Sequence, residues 1–159
     1  MTKVIILGYD GSECADDALD QAVQHATAWG DAEVVVVHGQ ILPAPYHGLW
    51  GDQPRIEEDV DKEREDITRR CEYYHSPMLD KAVARLTEAG VKARAQIVWQ
   101  DPAHGLLQVA EETGATMIIV GTHGAGSKGG VFRGSVAYKL LHHATVPVLI
   151  VPGRPTGGG

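Results

Sequence analysis

A single phenylalanine, five tyrosines and three tryptophans among 159 residues leave aromatic side chains at only 6%. An aromatic-rich β-sandwich core is therefore disfavoured. Val, Ile, Leu and Ala dominate instead, which suits buried parallel strands beneath helices with small contact residues. No apolar run approaches the roughly 18 residues that a membrane span requires, so no membrane partner is expected. Met1-Thr2-Lys3 leads straight into Val4-Ile5-Ile6-Leu7, too short for a signal peptide's apolar region. Only two cysteines are present, Cys14 and Cys71, with no CxxC pair and no metal-ligand neighbours in register. Two reduced thiols in a cytoplasmic protein is the plain reading. Basic residues are outnumbered 14 to 21, for a net charge of −7. Such a surface repels phosphate backbones, and no basic stripe with interleaved aromatics appears, so nucleic acid is not expected as a partner. Any phosphate site must be local and built from backbone dipoles.

What is present is an alternation of strand and helix signals. Val4-Ile5-Ile6-Leu7 reads as a buried strand ended by Gly8. Ser12 then caps a helix with Ala15, Ala18, Leu19, Ala22, Val23, Ala26 and Trp29 on one face, closed by Gly30. Val34-Val35-Val36-Val37 is a second strand. The stretch from Pro43 to Pro54 reads as a loop whose Tyr46 and Trp50 either cover a pocket or pack on the surface. Glu57 to Asp66 is strongly acidic. Its pairs Glu58 with Lys62, Glu65 with Arg69 and Asp66 with Arg70, spaced i,i+4, support an exposed helix. Ser76-Pro77 predicts a fresh helix start, with Leu79, Ala82, Val83 and Leu86 on its apolar face and Gly90 as its stop. Ala93, Gln96-Ile97-Val98 and Trp99 suggest a third strand near an edge. Asp101-Pro102 opens a helix that Gly114 closes, and Met117-Ile118-Ile119-Val120 is the fourth strand. A glycine-rich connection precedes a helix with Ala137, Leu140, Leu141 and Ala144. Val146 to Val151 is the last strand, with Pro147 placing it at an edge or lying at its start. The order predicts one α/β domain over residues 1–153, a parallel sheet with helices on both faces, followed by a flexible tail at 154–159.

Ligands of open parallel sheets bind outside the carboxyl ends of the strands, where strand order reverses. Two segments suit that place: Gly8-Tyr9-Asp10-Gly11-Ser12 after the first strand, and the connection from Gly121 to Ser135 after the fourth. The latter holds six glycines in 14 positions: Gly121, Gly124, Gly126, Gly129, Gly130 and Gly134. Ordinary βα loops run about 2–6 residues, so this one calls for a reason. Glycine lets a ligand approach the backbone, and the helix beginning at Gly134-Ser135 offers unpaired N–H groups and a favourable dipole. Together they make a neutral phosphate cradle. It is not a Walker loop, and its GxGxxG-like stretch is weak. Asp10 suits a ribose hydroxyl, or a divalent cation such as Mg²⁺ beside the phosphates, or a turn and cap. His123 faces phosphate or is incidental; Lys128 and Arg133 neutralise phosphates or are solvated. No catalytic set and no metal-ligand set emerges from the residues.

These motifs resemble those of the universal stress protein family. Gly121-x2-Gly124-x9-Gly134-Ser135 is similar to its nucleotide signature, Val4 to Ser12 to its first strand and aspartate, and Ala144 to Val151 to its final strand. The resemblance covers residues 3–152. It implies a doubly wound five-stranded parallel sheet of order 3-2-1-4-5, often paired as a homodimer through the last strand, here Val146 to Val151. It places Tyr9 and Asp10 near ribose and adenine, and the backbone after the second strand near adenine. Gly121, His123 and Gly124 approach the phosphates, completed by Gly134, Ser135 and Val136. Gly39 departs from the pattern, because members that bind ATP tend to carry an apolar residue there. The implied activity is an ATP-binding regulatory protein of the stress response, with AMP or cyclic AMP as other ligands and at most weak ATP hydrolysis. The alternatives are a slow ATP hydrolase or nucleotidyl transferase on the same scaffold, or a nucleotide-free interaction module.

Overall fold

The computed structural model describes residues 1–41, 57–122 and 135–153. Nine elements alternate along it: β1 (Lys3–Gly8), α1 (Glu13–Trp29), β2 (Ala32–Gly39), α2 (Glu57–Glu88), β3 (Lys92–Val98), α3 (Pro102–Thr113), β4 (Met117–Gly121), α4 (Ser135–His143) and β5 (Val148–Val151). The strands form one parallel sheet of order β3-β2-β1-β4-β5.

The continuous apolar strands are explained by burial on both faces. Ile5, Leu7, Val34, Val36 and Ile119 point to the side covered by α1 and α2. Their neighbours Ile6, Val35, Val37, Ile118 and Val120 point to the side of α3 and α4. Each fully buried Val, Leu or Ile contributes about 1.5–3 kcal/mol of transfer free energy. The face of α1 toward the sheet is mostly alanine (Ala15, Ala18, Ala22, Ala26) around Leu19, which lets the helix lie close.

Local signals fix the helix ends. Ser12 accepts from Ala15 N–H at 3.2 Å, and Asp101 accepts from His104 N–H at 3.2 Å with Pro102 in the first turn. Gly30, Gly90 and Gly114 take the positive φ values that let the chain leave its helices. Pro147 precedes β5, which is two residues shorter than the sequence predicts. Its carbonyl still accepts from Ile118 N–H at 2.9 Å, so the residue without a donor serves the ladder as an acceptor.

The expected helix start at Ser76-Pro77 is incorrect. α2 runs without interruption through Pro77 for 32 residues. A proline inside a helix removes one hydrogen bond and costs about 3 kcal/mol. Burial of Leu79, Ala82 and Leu86 against the sheet side anchors the helix immediately beyond it. Arg85 also ties α2 to α1 through Asp16 at 2.7 Å and Asp20 at 2.8 Å. The Asp66–Arg70 pair read on the early part of α2 is formed, at 3.1 Å. The segment Pro43 to Pro54 and the tail 154–159 lie outside the described residues.

Candidate functional site

The carboxyl ends of all five strands lie at one edge of the sheet, because all are parallel. β1 and β4 are the adjacent pair from which the chain winds in opposite directions. Their last paired residues are Leu7 and Ile119. Beyond them β4 continues beside β5 to Gly121 opposite Val151, and Thr122 N–H still donates to the Val151 carbonyl at 3.0 Å. β1 instead keeps to β2, with Tyr9 N–H donating to the Val37 carbonyl at 2.9 Å, and then turns into α1. The sheet therefore divides between β1 and β4, which is where doubly wound sheets place their ligands.

Asp10 stands at this division. Its Oδ1 accepts from Ser12 N–H at 3.0 Å, a turn built by the side chain itself. The structure thus shows the turn role of Asp10, and the same bond fixes the carboxylate at the strand end. Gly11 follows with φ of +77°, beside the sulfur of Met78. Tyr9 is buried in the core beneath α1 and α2, and its hydroxyl donates to Asp16 Oδ1 at 2.7 Å. Burial, and then that bond to a carboxylate, push the phenol up to about 12. Its side chain is committed to packing, so its backbone is the part near the division.

Gly121 and Gly39 are each held to glycine by a neighbour. A Cβ on Gly121 would lie 2.7 Å from Cys14 Sγ and 2.9 Å from the Cys14 carbonyl carbon and oxygen. The first turn of α1 thus rests on the end of β4. Cys14 is buried there, its thiol donating to the Val151 carbonyl at 3.3 Å and 3.5 Å from the Thr122 hydroxyl. A Cβ on Gly39 would collide with Pro102 at the start of α3. That contact is a packing reason for glycine at the end of β2.

Ser135 is exposed in the first turn of α4, and Val136 packs partly into the core on the α3 side. Lys139 reaches from α4 to Asp101 Oδ1 at 2.7 Å, and this bond holds the Asp101 carboxyl below the usual carboxylate range. Of the described site residues, Asp10, Gly121 and the Tyr9 backbone lie at the strand ends on the two sides of the division, Ser135 and Val136 open α4, and Gly39 ends the neighbouring strand. His123, Gly124 and Gly134, with Gly126, Gly129, Gly130, Lys128 and Arg133, lie outside the described residues.

Cys14, His38 and His75 also belong to this end of the sheet, and the sequence reading did not single them out for it. His38 ends the apolar run of β2, and its parity with Val34 and Val36 is the signal that it points to the α2 side. His75 stacks on it, ring centroids 4.5 Å apart. Burial, and then the neighbouring His38, lower the proton affinity of His75. The unfolded chain therefore binds a proton there more readily than the folded one. Stability is expected to be complete above the ordinary histidine range and to fall as pH drops through about 6.5 toward the lower folded value. Urea unfolding at pH 7.5 and 5.5 checks this, and His75→Phe is expected to flatten the difference.

The chain is similar over most of its length to known proteins. The model of the universal stress protein family matches residues 1–152. Universal stress protein YxiE of Bacillus subtilis is 30% identical over 152 residues, covering 95% of this chain and 99% of its own. A universal stress protein of Thermus aquaticus is 33% identical over 164 residues, with the same coverage of 95% and 99%. Three solved structures share the fold at lower identity. A universal stress protein in complex with cAMP superposes with a TM-score of 0.66 at 23% identity, covering 96% and 98% of the two chains. An Arabidopsis thaliana family protein with AMP bound gives 0.61 at 16%, covering 96% and 93%. The Archaeoglobus fulgidus protein in complex with dAMP gives 0.59 at 21%, covering 95% and 98%.

Proposed function

The chain belongs to the universal stress protein family, and from that premise we propose that it is an adenine-nucleotide-binding regulatory protein of the stress response, working in the cytoplasm. ATP is the ligand expected first, with Mg²⁺ beside its phosphates, and AMP or cyclic AMP are the other members of that class. One observation carries the reading: the glycine-rich signature begins at Gly121, where β4 ends beside the division of the sheet, and finishes at Ser135, where α4 begins. A helix start with unpaired N–H groups then follows a run of residues that lets phosphate approach the backbone. Asp10, held by Ser12 N–H, stands across the division as the ribose partner. Fold relatives with cAMP, AMP and dAMP bound support the choice of adenine nucleotides.

A cradle of neutral backbone donors binds triphosphate and transition state alike, and uniform binding gives no acceleration. Nucleotide occupancy is then a signal, with turnover far below the ~1 s⁻¹ of working enzymes. Equilibrium dialysis against labelled ATP, with and without Mg²⁺, tests the reading. One nucleotide bound per chain supports it, and no retained label defeats it.

We further propose a homodimer through the last strand. β5 is an edge strand, its Val148, Leu149 and Ile150 are only partly buried, and Tyr138 and Leu141 of α4 are exposed at 65% and 63%. Edge strands rarely remain uncovered, and a two-fold axis would pair this one with its copy. Leu149→Lys is expected to shift the protein toward monomer in sedimentation, and a parent chain already monomeric at micromolar concentration would refute the pairing.

A further inference from the structure

Helix α2 changes character at Pro77. Beyond it, Leu79, Ala82 and Leu86 are buried in the core, and Leu79 is the first buried residue of α2 among those described. Before it, every described side chain from 61 to 74 is exposed or half-buried, and none packs on the core. Pro77 has no N–H, so the Tyr73 carbonyl loses its usual helix bond at the junction of the two halves. Prolines are where helices bend. His75 lies two residues on the exposed side of Pro77. Its ring stacks on that of His38, centroids 4.5 Å apart and planes tilted by 34°, and so ties the exposed half of α2 to the end of β2.

The stack suits two neutral rings and offers nothing to a cation. His38 is nine-tenths buried, with Nδ1 2.9 Å from the Tyr9 carbonyl oxygen. A carbonyl can only accept, so Nδ1 donates and Nε2 keeps a bare lone pair. That Nε2 is buried without a hydrogen-bond partner, a cost that contact with water would remove. The charged groups nearby are engaged elsewhere. Asp16 of α1 accepts from the Tyr9 hydroxyl and from Arg85 of α2, both at 2.7 Å, and Asp10 accepts from Ser12 N–H. On β3, the residues level with His38 and Gly39 are Ile97 and Val98, which carry no charge. Burial, and then His38, hold the proton affinity of the stacked His75 below the ordinary histidine value. A His75 released to solvent takes up a proton more readily, so acid favours the open form. We propose that the His38–His75 stack is an acid-released latch: protonation of His75 parts the rings, and α2 bends at Pro77 to swing its exposed half away from the end of β2. The latch is closed above about pH 6.5 and loosens as pH falls below it. Its opening would bring water to His38 Nε2 at the edge of the sheet that carries the candidate site. The inference is independent of nucleotide binding.

The test is hydrogen exchange of the full-length protein at pH 7.5 and 5.5, read by mass spectrometry of its peptides and corrected for the intrinsic pH dependence of exchange. In the wild type, residues 61–76 are expected to open several-fold more at pH 5.5. The limit is about tenfold, for one histidine read one pH unit below its ordinary value. Residues 79–88, which carry the buried Leu79, Ala82 and Leu86, should keep their protection. His75→Phe keeps a ring against His38 but cannot take up a proton, and its exchange should not respond to acid. Pro77→Ala restores the missing helix bond and should reduce the acid response several-fold. Wild-type exchange that acid leaves unchanged overturns the proposal, and so does an equal acid response in His75→Phe. Exchange that rises together in 61–76 and 79–88 would mean that the whole helix unfolds, and overturns the bend at Pro77. An undiminished response in Pro77→Ala overturns it as well.

Discussion

Gly121→Val is expected to destabilise the protein by about 3 kcal/mol, the upper part of the usual range for overpacking. The new Cβ would sit 2.7 Å from Cys14 Sγ and 2.9 Å from two backbone atoms of the same residue. Side-chain sulfur can rotate away, but the backbone of α1 cannot move without lifting the helix from β4. For a chain of this size the loss corresponds to roughly 6–12 °C in melting temperature. Calorimetry measures it, and the double variant Gly121→Val with Cys14→Ala divides it. Only the part due to sulfur should be recovered, because the Cys14 carbonyl remains in the way. A Gly121→Val protein that melts like the parent would show that α1 does not rest on the end of β4.

Gly134→Val is expected to act on the ligand and leave the fold alone. The residue immediately precedes α4, at the third glycine of the signature. A branched side chain where phosphate approaches the backbone should lower ATP affinity by well over tenfold, or about 1.4 kcal/mol and more. The melting temperature without nucleotide should stay near that of the parent. Isothermal titration measures the affinity, and unchanged binding would mean that the phosphates do not lie on this loop. The two glycine variants thus separate a packing role from a binding role within one motif.

The fold was legible because its signals are local and repeated. Val4-Ile5-Ile6-Leu7, Val34 to Val37 and Met117 to Val120 are short apolar runs, and each is a strand buried on both faces. Ser12, Asp101-Pro102 and Gly114 end or begin helices through bonds that involve only near neighbours. Pro77 was misread for the same reason. A Ser-Pro pair has the local chemistry of a helix start, whereas the burial of Leu79, Ala82 and Leu86 that anchors α2 is a tertiary matter. At the site, Asp10 and Gly121 announced themselves by residue type and position after a strand. Cys14 and His38 did not. Their roles depend on contacts with Val151 and Tyr9, at separations of 137 and 29 residues, which no sequence pattern encodes. Gly39 illustrates the converse. The resemblance marks it as unusual at the adenine wall, while its neighbour Pro102 supplies a packing reason.

Native mass spectrometry of the freshly purified protein, before and after incubation with ATP and Mg²⁺, shows whether an adenine nucleotide sits at the strand ends. A mass increment of one adenine nucleotide per chain is expected, carried through purification or gained on incubation, and lost in Gly134→Val. A chain that shows no increment in either condition, although folded by circular dichroism, would contradict it.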